Sequence, residues 1–153
     1  MRTYRLFKSS FTKEPYIDLV RNRNQRAFLT RLRVGSHLLN IERGRWTRPV
    51  TPVEHRICSY CAPSSSASTS PRSRPTTSSI DDEYHFLMNC SRFNDVRDSA
   101  FQDISLILPN FANLSKMNQF CTLLCPTEAK AVKIVNNLIK EMFKVREKID
   151  NQP

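Results

Sequence analysis

Four residues of the types that bind metal ions fall into two closely spaced pairs. Cys58 and Cys61 form a Cys-x2-Cys pair, and His85 and Cys90 form a His-x4-Cys pair. A Cys-x2-Cys turn brings two thiolates to one ion, and a His and a Cys about one helical turn apart complete a tetrahedron. The four residues therefore predict one Cys3His site for a structural Zn²⁺ ion.

Two alternatives to a metal site are open for the cysteines. A redox role for Cys58 and Cys61 requires a strand before the pair and a helix after it, whereas a Ser/Pro tract follows Cys61. Buried cysteines without a ligand are the second alternative. Cys121 and Cys125 are four residues apart with no histidine nearby in the sequence, so we expect them to pack as apolar residues.

The other histidines are weaker ligand candidates. His37 lies 21 residues before the first ligand cysteine without a ligand-spaced companion, so we expect a hydrogen-bonded structural histidine. His55 is closer to that cysteine but would have to replace His85. A ligating imidazole usually donates its second N–H to a carboxylate or a carbonyl, and Asp82 and Glu83 are the local candidates for this role.

Five short motifs include or flank the ligand pairs: LTRLR, IERGRW, CxxC, DEYHFLxxC and RFNDVR, within residues 26–46, 56–61 and 81–97. Together they resemble the zinc-binding region that follows the polymerase in non-LTR retrotransposon reverse transcriptases. The resemblance implies a CCHC-type zinc site, contact with RNA or DNA, and a polymerase domain upstream. The Ser/Thr/Pro tract between the ligand pairs departs from the family, whose linker is shorter.

The elements that position these residues are predicted to be mostly α-helical. Apolar residues at helical spacing predict a helix from Pro15 that ends at Gly35. Helices are also predicted over residues 92–104, from a Ser115 cap to about Leu124 with Met117 buried, and from a Thr127 cap onward. Residues 36–57 are predicted to be irregular, anchored by His37, Leu38, Leu39, Ile41 and Trp46.

Length and composition indicate a single domain. With 153 residues and 2 glycines, the chain is long enough for one modest core. Residues 1–61 and 80–150 are predicted to form one zinc-stapled helical domain. Residues 62–79 are rich in Ser, Thr and Pro and are predicted to be a disordered insertion. No membrane-spanning or signal segment is predicted, so we expect an intracellular protein of the nucleus or cytoplasm.

The net charge of +10 is concentrated near the start of the chain. Residues 1–56 carry 13 Lys or Arg and 4 Asp or Glu, a net charge of +9. On the wheel of the first predicted helix, Arg23, Arg26 and Arg33 lie opposite the apolar arc. With the resemblance, they and Arg43 and Arg45 of the IERGRW turn become the candidate nucleic-acid-binding residues.

No enzymatic activity is predicted for these residues. Four protein ligands close the zinc tetrahedron and leave no position for a catalytic water. Asp81 and Asp82 lie beside a zinc ligand rather than in a polymerase-like acidic triad, and no small-molecule substrate is expected. The leading hypothesis is a non-catalytic zinc module that binds RNA or DNA. The alternative is a degenerate retroelement-derived fragment that acts only as a protein-interaction scaffold.

Overall fold

The computed structural model describes residues 3–8, 12–61 and 80–150. The predicted disordered insertion, residues 62–79, lies outside the described residues. The fold class is mostly α, as predicted. Within the described ranges the β pairing is limited to an isolated antiparallel bridge between Ile57 and Ile80. The helices are α1 (Pro15–Leu19), α2 (Ala27–Arg33), α3 (Asn40–Arg43), α4 (Asn94–Ile107), α5 (Lys116–Leu124) and α6 (Ala129–Asp150).

The chain divides into two compact units. The single zinc-stapled domain over residues 1–61 and 80–150 stays a prediction. The first unit, the helical unit, comprises residues 1–36 and 93–153. The second, the ligand unit, comprises residues 37–92 and contains both ligand pairs. Hydrogen bonds between the segments before and after the insertion hold the ligand unit together. The spacing of apolar residues in the sequence does not predict these contacts.

The helical unit is organised around α6, which contacts α1, α2, α4 and α5. The apolar stripe of α6 is buried, because its residues recur every three or four positions and so share one face. Six of its side chains are at most 3% exposed: Ala131, Val132, Val135, Leu138, Ile139 and Met142.

The single helix predicted from Pro15 to Gly35 is wrong, because the chain leaves helical geometry after α1. Val20 is extended, with φ −131° and ψ 93°. Asn22 then starts a 3-10 turn, and its side chain accepts a hydrogen bond from the backbone N–H of Asn24 at 2.9 Å. Residues on the two sides of this break do not share one helical wheel.

The start of α2 is capped by a residue from the far end of the chain. Arg26, at the N-cap position, provides no side-chain acceptor. Instead, the Oδ1 atom of Asn136 on α6 accepts from the backbone N–H groups of Phe28 at 2.9 Å and Leu29 at 3.4 Å. The buried amide thus satisfies two of the donors that every helix start leaves open.

The end of α2 at Gly35 is confirmed. Gly35 has a φ of 71°, which glycine adopts without steric cost. The N–H of Ser36 donates to the carbonyl of Arg31 at 2.8 Å, and the N–H of Gly35 donates to that of Leu32 at 3.3 Å. This is the Schellman pattern of helix termination.

The later helices lie within a few residues of their predicted positions. The Ser115 hydroxyl caps α5, as predicted, by accepting from the N–H of Asn118. The Thr127 cap is wrong, because α6 begins at Ala129 and Glu128 precedes its first residue. Three predicted burials are wrong. Met117 is 48% exposed, Leu38 is 65% exposed and Trp46 is 77% exposed.

Candidate metal centre and nucleic-acid interface

The first ligand pair lies on a tight turn. The backbone N–H of Cys61 donates to the carbonyl of Cys58 at 3.2 Å, so the two residues are held at the ends of one turn. Cys58 is 1% exposed, whereas Cys61 is only partly buried. The turn therefore presents one thiol inside the unit and one near its surface.

The second ligand pair lies on a π-helical turn, His85–Asn89, that ends at Cys90. The N–H of Cys90 donates to the carbonyl of His85 at 2.8 Å, which closes a turn of five residues. On an α-helix, residues five apart point about 140° away from each other. The wider π turn brings the two side chains toward the same side, so it is the local feature that lets a His-x4-Cys pair share one ion.

The four predicted ligands come together in one group. Their ligand atoms all lie within 4.8 Å of one another. The Sγ atom of Cys90 lies 3.9 Å from that of Cys58 and 3.7 Å from that of Cys61. Zn–S bonds of about 2.3 Å in a tetrahedron place two sulfurs roughly 3.8 Å apart. The spacing fits a tetrahedral metal ion and is far too long for a disulfide, whose sulfurs lie about 2.0 Å apart.

The electrostatics of the group favour a thiolate at Cys58. The neighbouring Cys90 thiol lowers the pKa of Cys58 to about 3, opposed by burial and assisted by His85 and by the backbone N–H groups of Tyr60 and Cys61. The pKa of Cys90 is raised, because it acts as the donor to Cys58 and is itself buried. Thiolate is the form that binds metal, and a cation would displace the proton that Cys58 and Cys90 share.

Two carboxylates beside the ligands accept hydrogen bonds from the backbone. Asp82 Oδ1 accepts from the backbone N–H of His85 at 2.8 Å and so caps the π turn. Asp81, which is 1% exposed, accepts from the N–H of Asn40 at 2.7 Å through its side chain and from the N–H of Ile41 through its carbonyl. Asp81 therefore caps α3 from the other arm of the ligand unit.

His37 is a hydrogen-bonded structural histidine, as predicted. Its Nδ1 atom accepts from the N–H of Leu39 at 3.3 Å, which leaves the proton on Nε2. Nε2 lies 3.0 Å from Oε1 of Glu83, and both side chains are almost fully buried. Glu83, a candidate partner for the ligating imidazole, is thus bonded to a different histidine.

Arg33, predicted to face a nucleic acid, is in fact buried. Its side chain is 1% exposed and is ion-paired with Glu14. The guanidinium also donates to the carbonyl of Leu124 and lies over the rings of Phe7 and Tyr16, 4.5 and 4.7 Å from their centroids. The wheel that placed Arg33 outside assumed one continuous helix, and that helix is broken before α2.

The remaining helix arginines have different environments. Arg26 is half-buried, and its guanidinium donates to the carbonyls of Val20 and Arg21, each at 3.3 Å. Arg26 therefore holds the segment between α1 and α2. Arg23 is exposed, as predicted.

The IERGRW turn retains its predicted arginines on the surface. Arg43 and Arg45 are exposed, and Arg45 is paired with Glu42 at 3.1 Å. Sequence reasoning missed Arg48 and assigned Trp46 to the interior, although both are exposed on the same turn. The alternation of arginines with an aromatic residue between Gly44 and Pro49 was the signal for a surface turn.

Cys121 lies on α5 and Cys125 at its C-terminal end, and neither belongs to the group of four ligands. Both are half-buried and line a cavity of about 570 Å³ with Phe7, Leu108 and Phe111. Burial raises the pKa of the Cys125 thiol. Nη1 of Arg33 lies 3.9 Å from the Cys125 Sγ atom, so this thiol lies between apolar side chains and a buried guanidinium.

Comparison of the chain with known protein families, with curated proteins and with solved structures finds no match. Among the described residues, no helix combines the length and apolar character needed to cross a bilayer. The function of the chain is therefore inferred from its own residues.

Proposed function

We propose that this chain is a non-catalytic module that is stapled by one structural Zn²⁺ ion and binds RNA or DNA. It would serve the role implied by its resemblance to the C-terminal zinc-binding region of retrotransposon reverse transcriptases, beside an upstream polymerase domain. The observation that carries the proposal is the Cys3His group, with sulfur spacings of 3.7 and 3.9 Å.

The ion would be held by Cys58, Cys61, His85 and Cys90, and it would supply a cross-link rather than a reaction. Four protein ligands fill a tetrahedron, as in structural zinc sites. The cross-link would join the turn of the first pair to the π turn of the second across the insertion. Structural zinc contributes on the order of 10–16 kcal/mol of folding free energy in small peptides. Free thiols in this site fit a reducing compartment, the nucleus or the cytoplasm.

Nucleic-acid binding is supported by the distribution of charge in the ligand unit. Asp81 and Glu83 are buried and engaged in structural hydrogen bonds. Arg43, Arg45 and Arg48, in contrast, are exposed. Among the described residues of this unit, Glu54 is the one exposed carboxylate, so arginine dominates the exposed charge. Guanidinium groups on the surface provide bidentate phosphate contacts, which favours a polyanion.

A protein-interaction scaffold is the competing function. The exposed apolar side chains Leu38, Val50 and Val53, which are 65%, 53% and 44% exposed, favour it. The two functions differ in their response to salt, because only phosphate binding releases condensed counterions.

The metal is tested by native mass spectrometry of the protein prepared with zinc under reducing conditions. We expect one zinc per chain, and its loss in the double variant Cys61→Ser, Cys90→Ser. Cys121→Ser is the matched control and should retain the ion. A wild-type protein without zinc, or a double variant with unchanged zinc content, would contradict the assignment.

Binding is tested by fluorescence anisotropy of labelled RNA and DNA titrated with the zinc-loaded protein at 50 mM and 200 mM salt. We expect saturable binding that weakens strongly at the higher concentration. Absence of binding to both nucleic acids at low salt would favour the scaffold function.

A further inference from the structure

Trp46 is the single tryptophan of the chain and one of its most exposed apolar side chains, at 77%. Single exposed apolar side chains are common on protein surfaces, so the ring is informative through the turn and the charges around it rather than through its exposure alone. Trp46 lies on a turn of residues 43–51, the tryptophan turn.

The tryptophan turn is closed by its own hydrogen bonds. The carbonyl of Gly44 accepts from the backbone N–H of Thr51 and from the hydroxyl of Thr47, both at 3.0 Å. The Thr47 and Thr51 hydroxyl oxygens lie 2.8 Å apart. The N–H of Trp46 donates to the carbonyl of Arg43 at 3.0 Å. The backbone under the indole is therefore fixed at both ends.

The buried side chain of Arg56 stabilises the tryptophan turn. Arg56 is 7% exposed, and it donates to the carbonyl of Thr51 at 2.9 Å and to that of Ile41 at 2.7 Å. Its side chain passes directly over Gly44, where an added Cβ would lie 2.6 Å from Nε. The glycine is needed here for space rather than for backbone conformation. Arg56 is thus a support for the turn and is not available as a ligand-binding charge.

The charged side chains nearest to Trp46 in the sequence are positive. Arg43, Arg45 and Arg48 are exposed within three residues of Trp46, and the one acidic side chain in this stretch, Glu42, is paired with Arg45. An aromatic face bordered by guanidinium groups matches a partner that offers flat π surfaces joined by negative charges. An unpaired stretch of nucleic acid has both, because its bases are unstacked and its backbone carries phosphates.

We propose that the tryptophan turn is a binding site for single-stranded nucleic acid, in which Trp46 stacks on an unpaired base while Arg43 and Arg48 contact the flanking phosphates. This inference rests on the proposed nucleic-acid binding and specifies the form of the ligand. A duplex hides its base faces within the helical stack, so the site discriminates between paired and unpaired strands.

Because Trp46 is the only tryptophan, its fluorescence reports on this site alone. The zinc-loaded full chain is titrated with a 12-nucleotide oligouridine and with the same length of RNA duplex, while the anisotropy of a labelled oligonucleotide is followed in parallel. Stacking is expected to quench Trp46 with the same midpoint as the anisotropy change. The duplex is expected to produce little quenching.

The matched variants are Trp46→Leu, Trp46→Phe and Leu106→Ala. Replacing one stacking aromatic typically weakens single-strand binding about 5- to 150-fold, and we expect Trp46→Leu to fall in this range. Trp46→Phe keeps an aromatic face and should recover most of the affinity. Leu106, on α4, is 83% exposed and serves as the control for loss of a surface apolar group. Zinc content and circular dichroism confirm that each variant is folded.

The outcomes separate this inference from the proposed function. If the oligonucleotide binds by anisotropy but Trp46 fluorescence does not change and Trp46→Leu binds like wild type, the stacking site is wrong and nucleic-acid binding stands. Equal quenching by duplex and single strand would also overturn the site. If neither nucleic acid binds, both proposals fail. Quenching by an acidic peptide or by anionic vesicles but not by oligonucleotide would assign the turn to another partner and overturn the inference.

Discussion

Replacing Arg33 should destabilise the protein without removing a nucleic-acid contact. The guanidinium is buried against Glu14, the Leu124 carbonyl and the rings of Phe7 and Tyr16. The test substitution is Arg33→Met, which keeps a long apolar side chain and removes the charge and the donors. The change therefore isolates the polar contribution of Arg33 from its packing.

The expected loss of stability follows from the buried groups that lose their partner when Arg33 is replaced. Breaking a buried ion pair from one side typically costs about 3–5 kcal/mol, and an unsatisfied carbonyl costs about 1–3 kcal/mol. The two costs are not additive, because both arise from loss of the same guanidinium group. Glu14 would keep its hydrogen bond from Tyr4 at 3.0 Å and its ion pair with Lys8 at 2.7 Å, and its side chain is 13% exposed. We therefore expect about 3 kcal/mol, a large share of the roughly 5–15 kcal/mol that stabilises a typical domain.

The assay is urea unfolding of the zinc-loaded protein followed by circular dichroism, with RNA anisotropy on the folded fraction. Arg31→Met is the control, because Arg31 lies on the same helix and is exposed, so its loss should change stability by at most about 0.5 kcal/mol. Adding Glu14→Gln to Arg33→Met should recover part of the loss, since no buried charge is then stranded. Equal stability of Arg33→Met and Arg31→Met, with weaker RNA binding in the former, would refute the buried assignment.

Three further results are expected. Asn136→Ala should cost about 1–3 kcal/mol and speed hydrogen exchange at the start of α2, because two amide donors lose their acceptor, while the exposed neighbour variant Asn137→Ala should behave like wild type. The pKa of Glu14 lies below its ordinary value, since the Lys8 hydrogen bond and the nearby guanidinium outweigh burial, so its stabilisation is present above about pH 4.5 and is lost as the pH falls through the lowered pKa. The stability difference between wild type and Glu14→Gln in urea should therefore shrink below about pH 4.5, and a constant difference down to pH 3 would contradict this. Gly44→Ala should weaken zinc binding in a competition with a chelator, because the added methyl displaces the side chain that braces the tryptophan turn, and an unchanged zinc affinity would show that the turn and the metal site fold independently.

The sequence was sufficient to predict the features that depend on local patterns. Ligand types and spacing predicted the Cys58 and Cys61 pair and its partners, because metal geometry restricts which residues can converge. The apolar stripe of α6, the Ser115 cap and the Gly35 terminator are also local, and each was predicted at its observed place. The π turn at the second ligand pair was not predicted, but its spacing of five residues is the signal that an α-helical turn would not serve.

The errors in the sequence analysis concern long-range partners. The Asn136 cap on α2 joins residues more than 100 positions apart, so the local pattern around α2 does not predict it. Arg33 was placed on the surface because the wheel of one continuous helix put it opposite the apolar arc, yet it is buried beside a carboxylate 19 residues away. Trp46 was placed in the interior as an anchor of the irregular segment, yet it is 77% exposed. For each of these residues, the partner decides burial, and a single sequence does not name the partner.

The salt dependence of binding to single-stranded RNA measures how many phosphate contacts the exposed arginines make. The three proteins to compare are wild type, the triple variant Arg43→Ala, Arg45→Ala, Arg48→Ala, and the charge-matched control Lys130→Ala, Lys133→Ala, Lys140→Ala, whose lysines are exposed on α6. Each lost phosphate contact on a single strand reduces the slope of log affinity against log salt by about 0.7. We expect a slope shallower by about 1.4 in the arginine variant, for the two phosphate contacts of Arg43 and Arg48, and an unchanged slope in the control. Equal slopes in all three proteins, or no RNA binding by zinc-loaded wild type, would contradict this expectation.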